Sequence, residues 1–210
     1  MGTSARRNCA ELAYQERDRE LNQTYQELIA TLDSSDRKQI TNAQLAWLKF
    51  RDANCAYAAD PEAEIIEPAL LNTCLATMTE ERTTQLAAAI GPDSILRSTE
   101  GVSSSSSLGV VTVDGQEIDC GSPQATPEIT YCAGLAYEDI DQELNSVYQQ
   151  VKGNLSSAGQ QKLIKAQQAW IPFRDQHCEF AVREALGGTG YSAYLFACLE
   201  GITRSRTNDL

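Results

Sequence analysis

One pattern runs twice through this chain. Cys9-Ala10-x-Leu12-Ala13-Tyr14, followed by Asp18, Leu21, Asn22 and Tyr25, returns 123 residues later as Cys132-Ala133-x-Leu135-Ala136-Tyr137, followed by Asp141, Leu144, Asn145 and Tyr148. The offset holds where Ala43-Gln44-x-Ala46-Trp47-x2-Phe50-Arg51-Asp52-x2-Cys55 becomes Ala166-Gln167-x-Ala169-Trp170-x2-Phe173-Arg174-Asp175-x2-Cys178. After one inserted residue, Cys74, Thr79, Arg82 and Leu86 match Cys198, Thr203, Arg206 and Leu210 at an offset of 124. A duplication constrains architecture before any propensity is counted, because two like sequences demand two like packings. It predicts units at residues 5–92 and 118–210, joined by a linker at 93–117. At about 80 residues, each would have a marginal core that benefits from covalent staples.

Seven cysteines supply candidates for those staples, and six of them fall at matched positions. Such a pattern reads as a disulfide framework made in an oxidising compartment. A zinc site is disfavoured, since no Cys-x2-Cys occurs and the single histidine is His177. The opening Met1-Gly2-Thr3-Ser4 lacks the apolar run of a signal peptide and looks like an added leader, which implies a secretion segment removed. No stretch approaches 18 consecutive apolar residues, so no membrane span is expected.

Each copy reads as three helices. In the first, Leu21, Tyr25, Leu28 and Leu32 form a stripe of helical period, and Asp33-Ser34-Ser35-Asp36 caps the next helix. Helix two carries Ile40, Ala43, Trp47, Phe50 and Cys55 on one face. Helix three carries Leu71, Cys74, Met78, Arg82 and Leu86, and stops at Gly91-Pro92. The second copy starts from Thr126-Pro127-Glu128, an N-cap with proline behind it. Its helix two contains Pro172, which predicts a kink near Gln168–Trp170. The fold class is therefore all-α, two tandem disulfide-stapled three-helix domains. Ser98–Leu108, with five consecutive serines, reads as a flexible linker. Beyond it, β-branched residues around Asp114-Gly115 suggest a short hairpin.

Short turns make successive helices antiparallel. Cys9 then lies roughly 35 Å below the first turn and Cys55 roughly 29 Å below it, with Cys74 near the base of helix three. Cys9, Cys55 and Cys74 should cluster at one end, as should Cys120, Cys132, Cys178 and Cys198. Four cysteines allow three pairings, and the first copy has no match for Cys120, which leaves one of its three cysteines open to be unpaired.

The pattern Cys…Asp-x2-Leu-Asn-x2-Tyr…Gln-x-Ala-Trp-x2-Phe-Arg-Asp-x2-Cys…Cys…Thr-x2-Arg resembles the lysozyme-inhibitor LprI-like family of bacterial envelope proteins. Each copy matches nearly end to end, with Cys120 as the family's extra leading cysteine. The resemblance implies a periplasmic or secreted helical domain and a lysozyme-binding role.

Most shared residues read as scaffold. Trp47 and Trp170, with Phe50 and Phe173, are core anchors. Arg51-Asp52 and Arg174-Asp175 stand at adjacent positions where side chains diverge, so each should pair with another helix. Arg82 and Arg206 should form partly buried ion pairs with Asp18 and Asp141, or with Asp52 and Asp175. Asn22 and Asn145 should hydrogen-bond to a neighbouring helix or turn. An enzyme is hard to build here, because His177 is matched by Asn54 and no nucleophile–base set appears. No cofactor is implied.

The net charge is −12, with 14 acids against 7 bases in residues 9–90 and 10 against 7 in residues 120–210. Such a surface repels nucleic acid and attracts basic proteins. The leading expectation is a binding protein that inhibits or sequesters a lysozyme-type muramidase, steered by charge. The alternative is a non-enzymatic envelope interaction module, or an inhibitor of another cell-wall enzyme. The connection between helices two and three differs most between the copies. Its acidic form, Asp60, Glu62, Glu64 and Glu67, suits a basic rim. Its uncharged form, Gly187, Gly188, Thr189 and Tyr191, suits a cleft holding two catalytic carboxylates.

Overall fold

The computed structural model describes residues 3–64, 67–90, 109–113 and 115–210. The expected Gly91-Pro92 exit, the Ser98–Leu108 linker, Asp114, and Ile65-Ile66 of the acidic connection lie outside the described residues. Among the described residues six α-helices carry the architecture: α1 (Thr3–Thr31), α2 (Ser34–Ala58), α3 (Pro68–Ala88), α4 (Thr126–Gly153), α5 (Ser157–Ala181) and α6 (Tyr191–Asp209). A hairpin of β1 (Val110–Val113) and β2 (Gln116–Asp119) precedes α4, with Val113 paired to Gln116. Gly115 takes φ 83° in its turn, a conformation glycine adopts without Cβ strain. The all-α plan of two tandem helical domains, each with disulfides, is what the duplication predicts.

Compact packing divides the chain into residues 1–94 with 152–177, and residues 95–151 with 178–210. The division falls inside α5, after His177. The first unit therefore holds α1, α2, α3 and the body of α5. The second holds the hairpin, α4, the end of α5 and α6.

In the first unit, α1 buries Leu21, Leu28 and Leu32, three members of the expected stripe. The fourth, Tyr25, is half-buried and shares a 3.0 Å hydrogen bond with the Thr41 hydroxyl of α2. Asp33 ends the turn and caps α2, its Oδ1 accepting the Asp36 N–H at 2.9 Å. From α2, Ile40, Ala43, Trp47, Phe50 and Cys55 face the core. Pro68 opens α3, where its missing N–H costs nothing. Ser156 caps α5, its hydroxyl accepting the Gly159 N–H. The helix continues through Pro172 to Ala181 without ending.

In the second unit, the cap of α4 comes from a residue inside the helix. Glu128 Oε2 accepts the N–H groups of Gln124 and Ala125, as the carboxylate of a capping box does. Cys178, Ala181, Val182 and Cys198 form a buried cluster, flanked by Tyr191, Leu195, Leu199 and Ile202.

Three disulfides join Cys55–Cys74, Cys120–Cys132 and Cys178–Cys198. Cys9 is the unpaired one and is exposed. It lines a cavity with Ala69, Leu70 and Thr73, the turn of α3 that leads to Cys74, so the first copy's cysteines do gather at one end. Each disulfide closes a loop of 12 to 20 residues, which stabilises the fold by roughly 3 kcal/mol through the unfolded state.

Candidate functional site

Two of the repeated arginines, Arg51 and Arg82, are buried in the first unit in different ways. Arg51, 6% exposed, stacks over Trp47 at 5.1 Å and Tyr14 at 5.5 Å. Its guanidinium reaches Asp52 Oδ1 at 2.9 Å, Asp18 Oδ1 on α1 at 3.7 Å and the Thr79 hydroxyl on α3 at 3.5 Å. Arg174 likewise meets Asp175 at 2.8 Å and stacks over Trp170 at 5.0 Å. The adjacent residues thus pair with each other, against the expectation of divergence. The arginine stem is long enough to lie on its own helix's indole and turn its head back to the next residue. Desolvation raises the Tyr14 phenol above its usual value, opposed by the Arg51 charge.

Arg82 departs from expectation further. It is 1% exposed, yet no carboxylate meets it among the described residues. Nε donates to Gln44 Oε1 at 2.9 Å, and Nη1 donates to Gln85 Oε1 at 3.0 Å and to His177 Nδ1 at 2.9 Å. The Phe173 ring lies 5.5 Å from its guanidinium carbon, and that ring stacks in turn on Phe50 at 5.5 Å. Amide dipoles and an aromatic face replace the expected ion pair. Burial lowers the guanidinium pKa, but an arginine keeps its proton. Desolvation, with the Arg82 charge second, lowers His177 to about 3. Because an arginine can only donate, His177 accepts at Nδ1 and carries its proton on Nε2, and it is neutral and weakly basic at neutral pH. In the second unit, Arg206 is buried on α6, and its charge opposes the burial that raises Asp209.

Asn22 and Asn145 bond to their own helices. Each Nδ2 donates at 2.8 Å to the carbonyl one turn back, Asp18 or Asp141, and to that residue's carboxylate at 3.1 Å and 3.0 Å respectively. Short amide side chains reach the i−4 carbonyl readily, and both asparagines are exposed on the surface of their helices.

The acidic connection is half committed to the fold. Asp60 Oδ1 accepts the N–H groups of Glu62 and Ala63, both at 3.0 Å, closing an Asx turn. The carbonyls of Asp60 and Ala63 both accept from Lys162 Nζ on α5. Glu62 Oε1 accepts the Ser156 N–H at 3.1 Å, placing a carboxylate at the N-terminus of α5, where the helix dipole favours it. Gly159 is the residue that lets Glu62 approach, since a Cβ there would stand 2.6 Å from Oε1. Glu64 and Glu67 remain exposed.

The uncharged connection borders the larger opening. After the 3₁₀ turn Arg183–Ala185, Gly187 takes φ 81°, and Gly188 and Tyr191 close successive turns. Thr189 lies at the mouth of a cavity of about 710 Å³ whose walls are Thr126, Pro127, Thr130, Tyr131, Gly134, Leu135 and Glu138 of α4 and Phe196 of α6. Gly187, Gly188 and Thr189 are exposed and Tyr191 is half-buried. Sequence reasoning singled out the loop and missed the helical walls, whose signal lay in the positions where the copies differ. Among the described residues, no group of three or more histidine, cysteine or acidic side chains is placed to hold a metal ion, and no helix is long and apolar enough to cross a membrane.

Residues 1–86 and 119–210 match the family model described as Lysozyme inhibitor LprI. An uncharacterized protein of Rhizobium meliloti (strain 1021) is 33% identical over 107 residues, covering 45% of this chain and 77% of that protein. The crystal structure of an uncharacterized protein from Burkholderia thailandensis superposes with a TM-score of 0.53 at 18% identity. That alignment covers 99% of this chain and 89% of the other, a likeness of fold.

Proposed function

The chain belongs to the lysozyme inhibitor LprI family, and from that premise we propose that it binds and inhibits a lysozyme-type muramidase outside the bacterial cytoplasm. The observation that carries the reading is the family match across both copies. It gives the chain a lysozyme-inhibitor-type role at the family level, in a family of inhibitors and not of enzymes. Three disulfides support a periplasmic or extracellular location, where such bonds form and persist. A net charge of −12 favours encounter with a basic lysozyme and predicts association that slows as salt is added. Folding as repeats 5–92 and 118–210 about a linker at 93–117 belongs to the same proposal.

Within the acidic connection, Glu64 and Glu67 are the side chains left to meet a basic rim, because Asp60 and Glu62 hold the turn and the start of α5. The Gly187–Tyr191 loop is the element that approaches the enzyme's cleft, since it brings no carboxylate against the catalytic pair. The test is a lytic assay with several muramidases, run with a pull-down from periplasmic extract. Inhibition of at least one enzyme at micromolar protein is expected. No inhibition, together with capture of an unrelated envelope protein, would replace this reading with that of an interaction module.

A further inference from the structure

The opening in the second unit is lined by a different set of residues from the first unit's α1–α3 cavity, whose walls include Arg6, Cys9, Ala10, Leu70 and Thr73. Pro127, Tyr131, Gly134 and Glu138 follow one another at helical steps along α4, and Phe196 of α6 forms the opposite wall. A Cβ at Gly134 would meet the Phe196 ring at 3.5 Å, ordinary van der Waals contact, so alanine fits there while a longer side chain would run into the groove. By the repeat offsets, Tyr131, Gly134, Glu138 and Phe196 correspond to Asn8, Glu11, Gln15 and Asn72 of the first copy. Their neighbours Leu135 and Tyr137 match Leu12 and Tyr14. Leu135 of the groove wall is thus shared, while four other wall positions change from Asn, Glu, Gln and Asn to Tyr, Gly, Glu and Phe.

Charge identifies the occupant. Glu138 is the one carboxylate lining this largely apolar groove, is exposed, and makes no hydrogen bond or ion pair among the described residues. Between Thr126 and Val151, α4 carries Glu128, Glu138, Asp139, Asp141 and Glu143 and no lysine or arginine. An apolar slot ending at a free carboxylate, on an acidic helix, complements an apolar side chain that has a cation beside it. We infer that this groove receives an aromatic or aliphatic side chain presented by a basic protein partner, whose adjacent lysine or arginine pairs with Glu138. The inference rests on the lysozyme-binding reading and gives that reading a site: the α4–α6 groove anchors the partner beside the Gly187–Tyr191 loop.

The two repeats supply the test, since the first copy's residues already suit the same helices. Gly134→Glu fills the groove, Phe196→Asn removes its wall, Glu138→Gln removes its charge, and Gly134→Ala is the control that fits. Each protein is titrated calorimetrically against a basic animal-type lysozyme at low and high salt, with lytic inhibition measured in parallel. Circular dichroism and sedimentation verify fold and association state. Gly134→Glu and Phe196→Asn should weaken binding by about 30-fold or more, the loss expected of an anchor pocket. Glu138→Gln should weaken it about 5-fold and flatten its salt dependence, while Gly134→Ala stays within about 3-fold. A wild-type protein that neither binds nor inhibits would sink the functional reading and this site with it. Wild-type inhibition retained in folded Gly134→Glu would overturn the groove alone. A dimer that Gly134→Glu converts to monomer, with inhibition unchanged, would assign the groove to a second copy of this chain and refute the inference.

Discussion

His177 makes the acid stability of the first unit predictable. Its imidazole accepts from Arg82 in the core and holds a pKa of about 3, against 6.5 in an unfolded chain. The folded pKa is the depressed one, so between those values the unfolded state binds one proton more than the native state. Stability is therefore fully present above pH 6.5 and falls as pH drops toward 3. The slope in that window is about 1.4 kcal/mol per pH unit for one site, or about 2 kcal/mol between pH 6.5 and pH 5. His177 as a residue is only partly buried, and solvent screening reduces this to about 1–2 kcal/mol. The window is clean because the chain has a single histidine and carboxylates titrate mostly below it. His177→Asn installs the residue that the first copy carries as Asn54, keeps an acceptor for Arg82 and removes the titration. Urea unfolding of both proteins at pH 7.5, 6.5, 5.5 and 5.0, followed by tryptophan fluorescence, gives the difference directly, since Trp47 and Trp170 both lie in the first unit. Wild type should lose about 1–2 kcal/mol more than His177→Asn across pH 6.5 to 5. Parallel curves, or an imidazole that titrates near 6 by NMR in the native protein, would refute the reasoning.

Other measurements probe separate joints. Glu62→Ala should cost about 1 kcal/mol by removing the carboxylate at the start of α5. Gly159→Ala alone should destabilise by crowding both Glu62 Oε1 and the Leu155 Cβ, and the Glu62→Ala background should relieve the first of these and make the substitution less costly; additive effects in a double-mutant cycle would dismiss the contact. Replacing Cys55 and Cys74 by alanine should lower stability by roughly 3 kcal/mol in chemical denaturation without loss of native helix. Reaction of the native protein with Ellman's reagent should release one equivalent quickly, from Cys9, and Cys9→Ser should abolish it; three fast thiols would disprove the pairing described.

How much could be read without coordinates depended on the range of the interaction. Helix number, the Asp33 cap and the face of α2 were legible because they follow from period and local capping. That one of Cys9, Cys55 and Cys74 lacks a partner was visible from counting, whereas which one is a question of three-dimensional approach. The arginines show the limit most plainly. Arg51 seemed to need a distant partner, yet it bonds Asp52 beside it while also reaching Asp18, because a flexible stem escapes the divergence that holds for Cβ directions. Arg82 seemed to need a carboxylate, yet it takes Gln44, Gln85 and His177. Its third acceptor comes from α5, ninety-five residues away, in a packing the repeat alone does not announce. The groove was hidden for the opposite reason. Attention to what the copies share selects the scaffold, and Gly134 and Phe196 are residues they do not share.

The bond between Cys120 and Cys132 closes a twelve-residue loop at the head of α4, whereas α1 begins at the equivalent place with an unattached thiol. Helix ends fray when nothing restrains them, and a surface built on a fraying turn must be re-ordered each time it is used. The tether holds Tyr131 and Gly134 in their native geometry before any encounter, so contacts made there carry less of the entropic penalty of association. Affinity at the proposed groove should consequently respond to redox conditions through the order of the helix that carries it.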